Sequence, residues 1–257
     1  MNIYQHFRPE EREFIDQVFG WKEYVETSYS ARLSDFLDPR EQQIVKSFFG
    51  MQSEVKCDFF GGFEGAERQR ALIYPDYMEA TQNEFQITLF ELEYAKKFVR
   101  IEHRQVLGSL MSLGLKRGKY GDILLAEEQV QFLAAAEVAE YVKLQLDSIG
   151  RAGISLKEIP LHRAVGQEER WHEVAVTISS MRLDVIVSAL YNISRQKSQL
   201  YIQQGKAKVN WAAVENPSFM CGEGDVLSIR GLGRAKIVTV EGKTKKDKWR
   251  VIAGRKK

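Results

Sequence analysis

The chain has 257 residues, 44% hydrophobic and 28% charged, enough for two or three modest cores and unlike a disordered polymer. Its net charge of +2 conceals a partition: residues 182–257 carry 16 Lys/Arg against 6 Asp/Glu, a net of +10, which leaves −8 for the rest. These figures exclude a helical membrane span, because no apolar run approaches ~20 residues, and a disulfide or zinc framework, because Cys57 and Cys221 are two lone cysteines at no metal-ligand spacing.

The chain opens MNIYQHFRPEEREF, charged and without the apolar stretch of a secretory signal. With two cysteines read as reduced thiols, the expected compartment is cytoplasmic. Pro9-Glu10-Glu11 starts a helix toward Glu26 with Phe14, Val18, Phe19 and Trp21 inward. Asp38-Pro39 is an N-cap followed by proline, and begins a helix over 40–49 that Gly50 ends. Strands are expected over 57–60 and 71–74 around the turn Gly61-Gly62-Phe63-Glu64-Gly65. Those glycines lack the lysine and following Ser/Thr of a phosphate-binding loop, so a hairpin is the reading. Residues 1–80 form a mixed α/β domain on this pattern.

Residues 83–165 read as a second domain. Strands at 85–91, 122–125, 130–133 and 154–159 alternate with helices at 106–113 and 134–149, the latter with Val138, Tyr141, Val142 and Leu146 inward. The order βαββαβ predicts a ferredoxin-like sheet, the topology of RNA-recognition modules. Of the stacking aromatics such modules use, only Phe132 falls on the third strand. Between helix and strand lies Lys116-Arg117-Gly118-Lys119-Tyr120-Gly121-Asp122. Two readings stand side by side: Lys116, Arg117 and Lys119 on phosphates with Tyr120 stacked on a base, or a solvated turn with Asp122 capping backbone. His6, His103, His162 and His172 form no cluster, and no metal, cofactor or catalytic site is expected.

Residues 171–181 alternate like a strand and are expected to dock on a neighbouring domain. Beyond them, 183–191 has helical spacing, and Ser194 caps a second helix whose buried side is Leu200, Tyr201 and Ile202 and whose stop is Gly205. Strands follow at 206–210 and, after Gly224-Asp225, at 226–230. Arg182-Leu183-Asp184, Ser194-Arg195, Ile202, Gly205, Lys208-Val209-Asn210 and Gly224-Asp225 closely resemble the RNA-binding domain named after ribosomal small-subunit protein four, the S-four domain. Trp211 departs from it, since such domains often carry glycine after the asparagine. The domain is placed at 181–240, followed by a basic tail over 243–257, and the whole chain is α+β with three small domains.

With Leu115–Ile123 (LKRGKYGDI) and Lys208–Trp211 (KVNW), the full chain resembles the bacterial YlmH family. That resemblance implies a ribosome-associated RNA-binding protein linked to rescue of stalled large subunits that carry peptidyl-tRNA. It implies ribosomal RNA, tRNA and the large subunit as partners, quality-control proteins beside them, and a looser tie to cell division. The expected RNA contacts are Arg182 and Arg195 at the helix starts, where a guanidinium and free amides favour the same phosphate, with Gln196, Lys197, Gln199, Lys206 and Lys208 extending the basic edge. Asp184 is expected to orient Arg182 or cap the helix. The alternative is an RNA-modifying enzyme, because some pseudouridine synthases carry S-four domains and Arg182-Leu183-Asp184 mimics their nucleophile run. Against it, the chain has no second such run: Ala31-Arg32-Leu33-Ser34 has serine at the nucleophile position.

Overall fold

A computed structural model describes residues 7, 9–49, 54–126, 129–166, 171–244 and 246–256. His6 and the helix stop expected at Gly50 lie outside them, as do Lys245 and Lys257 of the expected tail. The chain forms two compact units, 1–167 and 168–257.

In the first unit, helix α1 (Arg12–Ser28) buries Ile15, Val18, Trp21 and Val25 along one stripe. Phe19, expected inward, is 39% exposed, with its ring edge-on to Phe48 at 4.7 Å. Strand β1 (Arg32–Leu37) escapes a sequence reading because its inward residue Ser34 is polar; that hydroxyl accepts from the Ala71 amide at 2.8 Å. Helix α2 (Pro39–Lys46) has the expected start: Asp38 accepts from the Arg40 and Glu41 amides, both at 2.9 Å, and Glu41 accepts from the Asp38 amide. It stops at Lys46 rather than running on to residue 49. Strands β2 (Val55–Phe60) and β3 (Gln69–Pro75) complete an antiparallel sheet of order β1-β3-β2. Val18, Trp21, Val25 and Val45 pack over Leu37, Val55, Ala71 and Ile73.

The same unit holds β4 (Ile87–Glu93), α3 (His103–Ser112), β5 (Tyr120–Leu125), β6 (Val130–Ala135) and α4 (Ala136–Gln145). The small hairpin β7 (Ser148–Ile149) and β8 (Ala152–Gly153) precedes β9 (Ser155–Ile159). Sheet order β5-β6-β4-β9, antiparallel throughout, is the expected ferredoxin-like arrangement. The long helix foreseen over 134–149 is shorter at both ends: Ala134 and Ala135 complete β6, and Ile149 belongs to β7. Tyr141, expected inward, is exposed.

Both faces of this sheet are filled. One packs Phe90, Leu92 and Phe132 beneath Val106 and Leu110 of α3 and Val142 of α4. The other packs Leu89, Leu124 and Leu133 against Phe36, Phe63, Leu161 and Val165. Gln131, fully buried on that second face, accepts from the Val165 amide at 2.8 Å and donates to the Arg163 carbonyl at 3.2 Å, stitching 163–165 onto the sheet.

The second unit has one six-stranded antiparallel sheet, order β10-β15-β14-β13-β11-β12. Its elements are β10 (His172–Ile178), α5 (Leu183–Tyr191), α6 (Arg195–Gln203), β11 (Ala207–Val209), β12 (Ala212–Ala213), β13 (Val226–Ile229), β14 (Gly233–Lys243) and β15 (Trp249–Lys256). Both helices match expectation, and Ser194 accepts from the Lys197 amide at 3.2 Å as their second cap. Leu200, expected on the buried side, is 53% exposed; Ile202 and buried Ser198 carry the inner side of α6, with Tyr201 packed partly buried beside them. Gly205 stops that helix at φ 65°. The expected basic tail is corrected. Val251 and Ala253 are fully buried, and β15 pairs with β14 on one side and β10 on the other, an interior strand whose apolar middle, Val251-Ile252-Ala253, is flanked by Arg250 and Arg255-Lys256. Its polar half read as solvated sequence; its apolar half closes the core.

Candidate nucleic-acid interface

Asp184 stands in the first turn of α5 with a fully buried side chain. Its Oδ1 accepts from Arg182 Nε at 3.0 Å. Its Oδ2 accepts from Arg182 Nη2 at 3.1 Å, Arg195 Nε at 3.0 Å and Gln199 Nε2 at 2.8 Å. One carboxylate thus fixes three side chains from the start of α5 and the first turns of α6. Burial alone would raise its pKa, but the bonds from Arg182, Gln199 and Arg195 outweigh that and hold it at about 2. The spacing works because Arg182 and Asp184 straddle the start of α5, while Arg195 and Gln199 are one turn apart on one face of α6.

The cluster is one negative charge against two positive, and the surplus lies on exposed groups. More than half of the Arg195 side chain and about a third of Arg182 remain accessible. Gln196, Lys197 and Lys208 are exposed on the same helix start and on β11, and Lys206 lies 5.4 Å over the Tyr201 ring. The free helix-start amides expected near Arg182 are not there: the Leu183 and Asp184 amides donate to the Phe219 and Pro217 carbonyls at 2.8 and 3.1 Å. At the start of α5 the Arg182 guanidinium is therefore the group left to meet an anion. Asn210 supports the edge by donating to Asp225 at 2.8 Å and accepting from the Val226 amide at 2.9 Å. The departure at Trp211 carries backbone strain, since φ is 47° at Asn210 and 63° at Trp211, the left-handed region where glycine is easiest.

The 116–122 turn fits neither reading whole: Asp122 caps backbone as one of them expected, but most of its cations are drawn into the fold rather than left to solvent or phosphate. Tyr120 cannot stack on a base: it is 1% exposed, and its hydroxyl donates to the Leu110 carbonyl at 3.2 Å. Arg117 donates to the Tyr120 and Gly121 carbonyls, and burial, with the Arg68 charge adding to it, lowers its pKa to about 10. Lys119 pairs with Asp35 at 2.6 Å and Glu137 at 2.9 Å. Asp122 caps backbone, accepting from the Glu67 and Arg68 amides at 2.7 and 3.1 Å. Gly121 is required by close approach, because a Cβ there would lie 2.9 Å from Phe36 Cε1. Lys116 alone stays exposed, beside a groove of about 680 Å³ that Arg32, Arg68, Arg117 and Lys119 also line.

The sheet face on which RNA-recognition modules stack bases is occupied by this chain's own Phe36, Phe63, Leu161 and Val165. Sequence reasoning also passed over residues 96–100, Lys-Lys-Phe-Val-Arg, where Phe98 is 87% exposed. Two lysines and an arginine around one aromatic were a signal, but no periodicity drew attention to it. Cys57 and Cys221 are free thiols whose pKa burial pushes up to about 12, which disfavours the thiolate form. Among the described residues no His/Cys/Asp/Glu group could hold a metal ion, and no helix is long and apolar enough to cross a membrane.

Three family models tile the chain: "YlmH, N-terminal" over residues 10–78, "Putative RNA-binding domain in YlmH" over 80–163, and the S4 (S-four) domain over 181–227. A Bacillus subtilis (strain 168) protein named "Ribosome-associated protein quality control protein P2" is 47% identical over 260 residues, covering 100% of this chain and 99% of that one. The solved structure of "Cell division protein ylmH from Streptococcus pneumoniae" matches with TM-score 0.55 and 34% identity, covering 64% of this chain and 100% of that one. With all three regions matched in order and a relative alike from end to end, the chain belongs to the YlmH family of RNA-binding proteins.

Proposed function

We propose that this protein is a non-catalytic RNA-binding factor that docks on ribosomal RNA or tRNA of the large ribosomal subunit during quality control of stalled nascent chains. The observation that carries this reading is the Asp184-centred cluster, which holds Arg182, Arg195 and Gln199 rigidly at the start of the matched helix pair. Guanidiniums fixed before binding lose little entropy on meeting phosphate, so each contact retains more of its strength. Full-length likeness to a protein named for ribosome-associated quality control supplies the setting. The proposed contacts are Arg182, Arg195, Gln196, Lys197, Gln199, Lys206 and Lys208, with Lys116 the remaining exposed cation of the 116–122 turn. The division into regions 1–80, 83–165 and 181–240 belongs to the same proposal, with β10, β14 and β15 extending the last.

Enzyme chemistry of the pseudouridine-synthase type would need Asp184 as a nucleophile. A fully buried carboxylate that accepts four N–H bonds offers no accessible lone pair to a base. The same aspartate is better explained as the support of the two arginines.

Lys197→Glu/Lys208→Glu tests the proposal cleanly, because both lysines are exposed and support nothing in the fold. Titrated onto purified large subunits at several salt concentrations, it should bind about a hundredfold more weakly, with a salt slope shallower by about 2. Unchanged affinity and slope, with wild-type circular dichroism, would remove the helix-pair edge as the RNA site.

A further inference from the structure

The turn after β4 displays an aromatic where solvent would favour a polar residue. Lys96 N–H donates to the Tyr94 carbonyl at 2.8 Å, and the Phe98 and Val99 amides donate to the Ala95 carbonyl at 3.0 and 3.2 Å. Tyr94 and Val99 pack against the helix-side core of the ferredoxin-like sheet, and Ile101 is buried in it. The turn is therefore pinned on both sides, and its geometry throws Phe98 outward to 87% exposure.

Its surroundings are cationic. Lys96, Lys97 and Arg100 are exposed, and their side chains have no ion pair or hydrogen bond among the described residues. The nearby Glu102 is engaged by Arg104 at 2.8 Å. A lone exposed hydrophobic residue is ordinary on a protein surface. An aromatic held away from the core, with three unpaired cations within two residues of it, matches the two chemistries of a single-stranded nucleic acid: a π-face for a base and charges for the flanking phosphates. The usual platform of this topology is also closed off by the chain's own residues, so a contact made by this region has to come from outside that sheet face, where this turn lies.

We infer that the 94–100 turn is an RNA-contact element in which Phe98 stacks on an unpaired base while Lys96, Lys97 and Arg100 take adjacent phosphates. This rests on the RNA-binding reading above and adds a second, base-stacking site to it.

The test uses the full chain and a fluorescent unstructured oligoribonucleotide, with a blunt RNA duplex as the comparison probe. Phe98→Ala and Phe98→Leu should each weaken single-strand binding roughly five- to a hundredfold, and Phe98→Tyr should retain it. Duplex binding should be unchanged in all three. Lys96→Glu/Lys97→Glu should weaken single-strand binding and flatten its salt dependence by about 2 in slope. Thermal unfolding of every variant should match wild type, because none of these side chains supports the core. If Phe98→Leu binds as wild type does, the residue supplies apolar area rather than a stack, and the inference fails. It fails equally if Phe98→Ala binds the strand normally, or if its only effect is a change in sedimentation showing that the turn joins protein to protein. Lys197→Glu/Lys208→Glu measured beside them on large subunits separates the two claims. A loss there with none at Phe98 sinks only this site, whereas the reverse sinks the helix-pair site.

Discussion

The turn at 116–122 and the helix start at 182–199 are both rich in cations beside one aspartate, yet the fold uses them in opposite ways. In the turn, the charge is spent inward: Lys119 reaches Asp35 and Glu137, and Arg117 reaches two carbonyls. In the helix pair, the aspartate goes inward and the arginines stay at the surface. The two aspartates report the difference. Asp184 is held down at about 2 because three side chains donate to it against its burial, while burial lifts Asp122 above the usual carboxylate range despite two backbone amides. Cations whose partner carboxylate is buried beside them keep an exposed surplus, as Arg182 and Arg195 do, whereas Lys119 is held inward by carboxylates from other elements.

The largest expected effect tests that inversion at its centre. Asp184→Ala removes the acceptor of charge-assisted hydrogen bonds from Arg182, Arg195 and Gln199, and should destabilise the protein by about 3 kcal/mol in urea unfolding. RNA affinity should fall with it, although the substitution adds net positive charge. Stronger RNA binding by this variant would show that the arginines act as mobile charge and need no positioning. The same coupling makes Arg182→Ala/Arg195→Ala an impure RNA test, because it strands a buried carboxylate on Gln199 alone. Deletion from Lys243 onward is impure too, since it removes interior strand β15.

A smaller effect follows from pH. The Asp184 pKa is lower folded than unfolded, so its contribution is present above about pH 4 and is lost as pH falls toward 2. From that shift the loss is about 2 kcal/mol. For Asp122 the sign reverses: a raised pKa means acid relieves an unfavourable buried charge rather than breaking a favourable one. Carboxyl NMR titration should place Asp184 below and Asp122 above the ordinary aspartate range. Two ordinary titrations would erase the distinction drawn here.

What the sequence made legible was local. The α5 and α6 boundaries, the Asp38 N-cap, the Ser194 cap and the ferredoxin-like order all rest on interactions within a few residues or on strong periodicity. The fate of Tyr120 was not legible, because its burial depends on α3 packing over β5 and its hydroxyl meets Leu110, ten residues away. Lys119 meets Asp35 across 84 residues, a pairing no spacing rule contains. Strand β1 hid behind a buried serine, and β15 hid behind its own lysines and arginines. At the helix pair the Asp184–Arg182 contact was readable because the two lie two positions apart at one helix start, but Arg195 and Gln199 reaching the same carboxylate depends on how α6 packs on α5, which no local spacing states.

The smallest effect sharpens the comparison one lysine at a time. Lys119→Met removes a charge that sits between Asp35 and Glu137 with about a quarter of its side chain exposed. Burial alone would lower its pKa, and the two carboxylates outweigh that and raise it, so the ammonium is bound to the fold. Partly screened ion pairs of this kind contribute up to about 1 kcal/mol, and unfolding should shift by no more than that. Affinity for the large subunit and its salt slope should stay as in wild type, because a charge already neutralised within the protein releases no counterions from RNA. Lys197→Met is the mirror image: no change in stability, since its ammonium supports nothing, and a salt slope shallower by about 1. The two variants carry the same chemical change on the same background, so charge and size cannot explain a difference between them. If Lys119→Met flattens the slope as much as Lys197→Met does, the turn touches phosphate after all, and the division between scaffold cations and binding cations collapses.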